Sequence, residues 1–373
     1  MSGRRLVFLN NQGLAAVGGG ISILRALTAD LARDHDIAVI SDERPSGAAF
    51  AEHQIPPFDP PRDARWRFKP WLKARHLARA LDPALLRDAD VVVAMDAHFA
   101  PALRALKPRR LVHLSLSCTT RQEFFGTPGS TAWWYAAQYA LLERALARQA
   151  DAIIVASAMH RREMERFAGC AGRPINVFNP VFPVLQTPQH AARDLHFVAI
   201  GRITPVKNLR ALIPVLRHLP GMRLALLGEG DDPAPLQRLA EQAGVADRIE
   251  WVGAVGDPTP WLDRAQLLLH PSRYESFGMV VQEAMRRGTV PVVFAQGRGR
   301  MNAATDLVAH DASGLHVDYD DPDAAAAAIV ALLAAPARLA RMSDAARAAA
   351  AERDRFDYVA GFRDLLARVE AKR

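Results

Sequence analysis

The chain has 373 residues, too many for one ordinary compact core and suited to two domains of nearly equal size. Its longest uncharged apolar stretch, Ala324–Ala335, is mostly alanine and falls well short of the roughly 20 residues that cross a bilayer. A formal charge of +7 favours phosphate-bearing or anionic partners, but no helix-turn-helix, zinc finger or aromatic stacking motif accompanies it, so nucleic acid is not expected as a partner.

Arg4 and Arg5 precede a short apolar run that Asn10, Asn11 and Gln12 interrupt before any secretory core forms, which predicts a cytoplasmic protein. Arg5–Leu9 reads as a buried strand, followed by a turn through Gly18, Gly19 and Gly20 and an amphipathic helix over Ile21–Arg33. Further apolar runs at Ile37–Ser41, Val91–Ala94, Leu111–Leu116 and Ala152–Ala156 alternate with helical patterns, the grammar of a parallel sheet covered on both faces. The stretch Asn179–Asp194 loses periodicity and carries Pro180, Pro183 and Pro188, which makes it the best linker candidate. The same alternation then resumes, with strands at His196–Ile200, Arg223–Leu227, Ile249–Val252, Leu267–His270 and Val290–Phe294. The alanine-rich segment Asp323–Arg353 reads as one or two helices broken near Pro336. The expected division is a domain over 1–183, a linker over 184–194, a second domain over 195–352 and a closing helix over 353–373 that packs back on the first. Cys118 and Cys170, far apart in sequence, form neither a disulfide framework nor a metal cluster.

The segment from Pro271 to Met285 carries the most specific chemistry, because it follows a strand and opens a helix. Ser276, Phe277, Gly278 and Met279 can offer backbone N–H groups to an anion where the helix dipole favours negative charge. Glu283, about one turn into that helix, is placed to accept hydrogen bonds from a ribose diol, and Glu275 stands earlier in the loop, nearer the sugar.

This segment resembles the Glu, seven residues, Glu motif of retaining family 4 glycosyltransferases of the GT-B fold. Gly201-Arg202-Ile203-Thr204-Pro205-Val206-Lys207-Asn208 resembles the family's strand-end motif, in which the arginine and lysine hold the donor diphosphate. Leu226-Leu227-Gly228-Glu229-Gly230 and Trp251-Val252-Gly253 resemble its nucleotide loops, and Gly18–Gly20 its N-terminal loop, which reaches the same phosphates. The resemblance implies an α/β fold of GT-B architecture, two doubly wound Rossmann-like domains facing across a cleft. It also implies retaining transfer of a sugar from a nucleotide sugar to a hydroxyl acceptor, a saccharide or lipid-linked glycan. The donor would be bound by Gly19, Gly20, Gly201, Arg202, Lys207, Gly228, Gly253, Glu275, Ser276, Phe277, Gly278, Met279 and Glu283. Glu275, Arg202 and Lys207 would act in the reaction, with cations and dipoles neutralising the leaving diphosphate, no metal and no cofactor. Asp318-Tyr319-Asp320 is set aside as a metal site because it lies in an acidic turn leading into a late helix.

The family's active-site histidine is expected at about Ser115–Ser117, where this chain has none; His113 or His98 could serve instead, or each could be a structural hydrogen-bonder. Gln296–Asn302 stands where the family has a plainer glycine pair followed by an acidic residue, and its two extra arginines, Arg298 and Arg300, could meet an anionic donor or acceptor or only solvent. Arg62–Arg79 interleaves basic residues with Trp66, Phe68 and Trp71, which suits either an anionic membrane surface on the cytoplasmic face or a solvated helix whose aromatics pack on the domain. Trp133, Trp134 and Tyr135 form a second aromatic cluster. The rival functions are a sugar-nucleotide epimerase or hydrolase of the same fold, and a non-catalytic nucleotide-sugar-binding or membrane-docking partner.

Overall fold

A computed structural model describes residues 3–15, 19–59, 68–127, 129, 131–180, 193–230, 233–297 and 300–371. The chain divides into two compact units, Met1–Phe182 with Phe356–Arg373, and Pro183–Arg355.

The first unit runs β1 (Arg5–Leu9), α1 (Gly19–Leu31), β2 (Asp36–Ser41), β3 (Ala51–Gln54), α2 (Lys69–Ala80), α3 (Ala84–Arg87), β4 (Val91–Ala94), α4 (Ala100–Leu106), β5 (Leu111–Leu114), α5 (Thr119–Gly126), α6 (Thr131–Gln149), β6 (Ala152–Val155), α7 (Ala158–Phe167) and β7 (Ile175–Val177). Its strands form one sheet in the order β3-β2-β1-β4-β5-β6-β7, every pair parallel. Leu6–Leu9, Val91–Ala94 and Ile153–Val155 are buried along their whole length, as parallel strands covered on both faces require. In α1, Ile23, Leu24, Leu27 and Leu31 recur at helical spacing and are buried against the sheet.

The second unit runs β8 (Leu195–Ile200), α8 (Leu212–Arg217), β9 (Leu224–Leu227), α9 (Ala234–Gln242), β10 (Ile249–Gly253), α10 (Thr259–Arg264), β11 (Ala265–His270), β12 (Tyr274–Glu275), α11 (Met279–Arg287), β13 (Val290–Phe294), β14 (Met301–Asn302), α12 (Ala304–Leu307), β15 (Leu315–Val317), α13 (Pro322–Leu333) and α14 (Pro336–Arg353). Its main sheet has the order β10-β9-β8-β11-β13-β15, while β12 and β14 pair separately. Phe197, Leu226, Leu267, Val292 and Phe294 meet Leu212, Leu216, Ile329 and Leu332 in a single apolar core.

The last helix, α15 (Tyr358–Ala371), returns to the first unit. Phe362 stacks on Phe8 of β1 with ring centroids 6.3 Å apart, and Arg363 forks between Asp30 and Asp34 of α1 and the turn after it. Most of the linker expected at 184–194 lies outside the described residues. Its last two residues are held by the second unit, Arg193 donating to the Thr289 hydroxyl at 3.0 Å and Asp194 pairing with Arg264 at 2.9 Å. Among the described residues no single helix is long and apolar enough to cross a membrane.

Candidate functional site

In each unit the chain builds outward from the first strand in one direction, then returns to add the rest on that strand's other side. The second unit reverses between β8 and β11, and there the carboxyl ends of neighbouring strands open a crevice that suits a ligand. Gly201, Gly228, Gly253 and His270 stand at the ends of β8, β9, β10 and β11. Backbone hydrogen bonds stitch these ends together: Gly201 N to Leu227 O at 2.9 Å, Gly228 N to Gly253 O at 2.7 Å and Ile203 N to Glu229 O at 2.8 Å. Gly228 has φ +135°, and a Cβ there would stand 2.1 Å from Gly201 O, so no side chain fits.

Lys207 and Glu275 meet at this edge, Nζ to Oε2 at 2.5 Å, with His270 Nε2 3.4 Å from the same carboxylate oxygen. Burial alone would raise the Glu275 carboxyl, but Lys207 and His270 outweigh it and hold the group down to about 2. Burial pushes His270 below its ordinary value, opposed by the Glu275 carboxylate beside it. Asn208, in a left-handed conformation with φ +53°, ties the Lys207 loop to the segment after β11 by donating from Nδ2 to Pro271 O at 3.2 Å. Arg202 is exposed, and no hydrogen bond from its side chain is made within the described residues.

Gly278 caps α11 at φ +101°, and an added Cβ would press on Ala304 at 3.1 Å and lie 3.6 Å from Glu275 Cγ. The first bonds into the helix run from Val281 N and Gln282 N to Gly278 O, at 2.9 and 3.1 Å. The amides ahead of them have no partner inside the helix, an arrangement suited to an anion. Ser276 is half-buried, Phe277 is buried, and Met279 begins the helix. Glu283 lies in the second turn, where burial pushes its carboxyl up to about 7, opposed by Arg286 and reinforced by Asp257. No acceptor contact of Glu283 is made within the described residues, so it is a desolvated carboxylate without a hydrogen-bond donor.

Asp318 and Asp320 are both engaged by arginines. Arg300 grips Asp318 through two bonds, at 2.9 and 3.0 Å, and lies over the Phe294 ring, while Arg273 grips Asp320 at 2.5 and 3.3 Å. Arg300 is thereby occupied by an internal partner; Arg298 lies outside the described residues.

In the first unit the reversal falls between β1 and β4. His98 sits just past β4, buried, with Nδ1 2.6 Å from Asp96 Oδ1 and 3.2 Å from the Asn11 side chain at the end of β1. Tyr139 packs edge-on against its ring at 5.1 Å. Burial would raise the Asp96 carboxyl, but His98 and Lys73 hold it below the ordinary range. His113 lies inside β5, where Nδ1 donates to Ala94 O at 3.0 Å and burial lowers its basicity. It therefore faces the sheet interior rather than a strand end. Ser115, where the family's histidine was expected, bonds instead with buried His160 at 3.2 Å. Gly20, the second residue of α1, lies against Leu116, 2.8 Å from where its Cβ would stand; Gly19 is exposed at the helix start, and Gly18 lies outside the described residues. Sequence reasoning had given no role to Asp96, His270 or Asn208, because each acquires one only through a neighbour distant in the chain or across a turn.

Two family models match. "Glycosyltransferase Family 4" covers residues 17–181 and "Glycosyl transferases group 1" covers 186–349, so both units are glycosyltransferase-type domains. A D-inositol 3-phosphate glycosyltransferase of Segniliparus rotundus is 39% identical over 46% of this chain and 39% of its own length. A lipopolysaccharide core biosynthesis glycosyltransferase, LpsE of Rhizobium meliloti, is 33% identical over 35% of this chain and 37% of its own length. The matches thus span about four tenths of the length of these curated relatives. Among solved structures, Anabaena HepE in complex with UDP-glucose superposes with TM-score 0.73 over 99% of this chain and 100% of its own, at 19% identity. With both sheets doubly wound, the fold is GT-B, with two Rossmann-like domains.

Proposed function

We propose that this pair of glycosyltransferase-type domains moves a sugar from a nucleotide sugar to a hydroxyl acceptor with retention of configuration, the donor being held by the second unit. The observation that carries the reading is the convergence of Arg202, the Lys207–Glu275 pair and the start of α11 at the β8/β11 reversal, with unpartnered Glu283 one turn further on. The diphosphate sits over the first turn of α11, and Glu283 accepts from the ribose diol, which supplies the donors it lacks. As the bond between the sugar and the diphosphate breaks, negative charge grows on the leaving oxygen, and Arg202 and Lys207 neutralise it. Glu275, kept ionised by Lys207 and His270, faces the positive charge that develops on the sugar.

In the first unit His98, rather than His113, receives the acceptor. Asp96 fixes its Nδ1, which leaves Nε2 to accept a hydrogen bond from the acceptor hydroxyl. The resemblance to a lipopolysaccharide core enzyme and the UDP-glucose complex of HepE support a saccharide or lipid-linked acceptor, cell-surface polysaccharide or glycolipid synthesis and a nucleotide-sugar donor. An anionic membrane surface is the further partner this reading assigns to the first unit, with the chemistry proceeding without metal or cofactor.

Release of nucleoside diphosphate from a panel of nucleotide sugars tests the reading, measured with and without saccharide and lipid-linked acceptors. Release that depends on acceptor supports transfer. Epimerised donor without acceptor, or binding with no release under any acceptor, would replace it with one of the rival activities.

A further inference from the structure

Helices α2 and α6 of the first unit leave related faces uncovered. On α6 the exposed residues are Trp133, Trp134, Ala137, Leu141, Arg144 and Arg148, a stripe at three- and four-residue spacing with aromatics in the first turn and arginines in the later ones. Trp133 is 69% exposed, Trp134 55% and Leu141 52%, although the helix's opposite face is buried through Ala132, Ala136, Leu142 and Leu146. On α2 the exposed face reads Trp71, Arg75 and Arg79, with Phe68 and Lys69 at its start. The aromatic ends join: Phe68 packs edge-on to Trp134 at 6.5 Å, and Trp71 N donates to the Gln138 side chain at 3.4 Å. Trp133 continues the ridge onto α5, against Phe124 at 4.9 Å.

Charge decides what such a ridge can meet. Helix α2 contains no acid, and the single acid of α6, Glu143, is buried beneath α5, accepting from the Thr119 amide and the Thr120 hydroxyl. Lys73 is not part of the free face, since it pairs with Asp42 at 3.4 Å. The exposed residues of α2 and α6 are therefore apolar or basic, with no acid among them. Indole rings settle at headgroup depth, and arginines beside them meet anionic lipid.

We propose that the α2/α6 ridge, centred on Trp133, Trp134 and Leu141 and flanked by Arg75, Arg79, Arg144 and Arg148, docks the first unit on an anionic lipid bilayer. The inference deepens the proposed function, since it brings the enzyme to the surface where a lipid-linked acceptor is held. It differs from the sequence expectation in its centre: the tryptophans of α6, rather than the basic run beginning at Arg62, supply the apolar contact. Residues 60–67 lie outside the described residues and carry no part of it.

The test is co-sedimentation of the full chain with vesicles of phosphatidylcholine alone and of phosphatidylcholine with phosphatidylglycerol, at low and high salt. It compares the native chain with Trp133→Ser/Trp134→Ser and with Arg144→Glu/Arg148→Glu. These residues are exposed, so both variants should fold and bind nucleoside diphosphate as the native chain does, which separates failure of docking from failure of the donor reading. The native chain is expected to bind the acidic vesicles at low salt and to leave them at high salt, and each variant to lose partitioning by about tenfold or more. Native protein that ignores acidic vesicles overturns the inference. So do variants that bind as well as native, and so does a change from dimer to monomer on replacing the tryptophans, which would make the ridge a contact between copies.

Discussion

Lys207 and Glu275, 68 positions apart, place an ammonium 2.5 Å from a carboxylate at the edge where β8 and β11 end. The contact charges the site before any donor arrives. It also makes each partner depend on the other, because a carboxylate this enclosed stays ionised only beside a cation.

Replacing Lys207 with Met is expected to destabilise the fold by about 1–3 kcal/mol, less than a fully buried pair because the lysine side chain keeps 27% exposure. Lys207→Met with Glu275→Gln should recover most of that stability in thermal melts and none of the turnover. With the Glu275 carboxyl lowered from 4.5 to about 2, the native pair's contribution is complete above pH 4.5 and is lost as pH falls towards 2. Glu275→Gln should flatten that acid limb.

Glu283 carries the opposite shift. Its carboxyl is raised to about 7, so the folded state holds a proton that the unfolded chain gives up near 4.5, and stability falls as pH rises between these values. Binding a ribose diol requires the ionised form. Affinity for the preferred nucleoside, which has no phosphate to titrate, should climb through pH 7 and level off above it. Calorimetry in buffers of different ionisation enthalpy should show proton release on binding near pH 7. Glu283→Gln should bind more weakly at pH 8 and show neither effect; a pH-independent native affinity would remove Glu283 from the ribose.

Asp96→Asn changes the partner of His98 Nδ1 without changing its size. Turnover is expected to fall by about tenfold or more while nucleoside diphosphate affinity is retained, and His98→Ala should cost on the order of 100-fold. His113→Gln should leave turnover per folded molecule near native, because that ring is occupied inside the sheet.

Activity should survive EDTA, since Arg300 and Arg273 already occupy the carboxylates of Asp318 and Asp320. Loss of activity that magnesium or manganese restores would put Asp318 and Asp320 back in contention as metal ligands.

The buried strands were legible because parallel strands covered on both faces leave unbroken apolar runs, as at Leu6–Leu9 and Val290–Phe294. Short polar edges were not: β3 reads Ala-Glu-His-Gln, and β12 and β14 are two residues each. Helix α6 was expected only as a helical pattern between two strands, without bounds, because its tryptophans stand on the exposed face and blur the helical period. In the site, residues contiguous in sequence could be read, from Glu275 through Gly278 to Glu283. The contacts that set their charge could not, because Lys207 reaches Glu275, and Asn11 reaches His98, only after long stretches of intervening chain have folded.

Calorimetric titration of the native chain and of Glu283→Ala with UDP, GDP, ADP and TDP tests the donor site most directly. One diphosphate should bind the native chain selectively, raise its melting temperature by mass action and lose affinity in the variant while the fold stays intact. If no nucleoside diphosphate binds, or if Glu283→Ala binds as tightly as native, the second unit does not hold a nucleotide sugar in the way described.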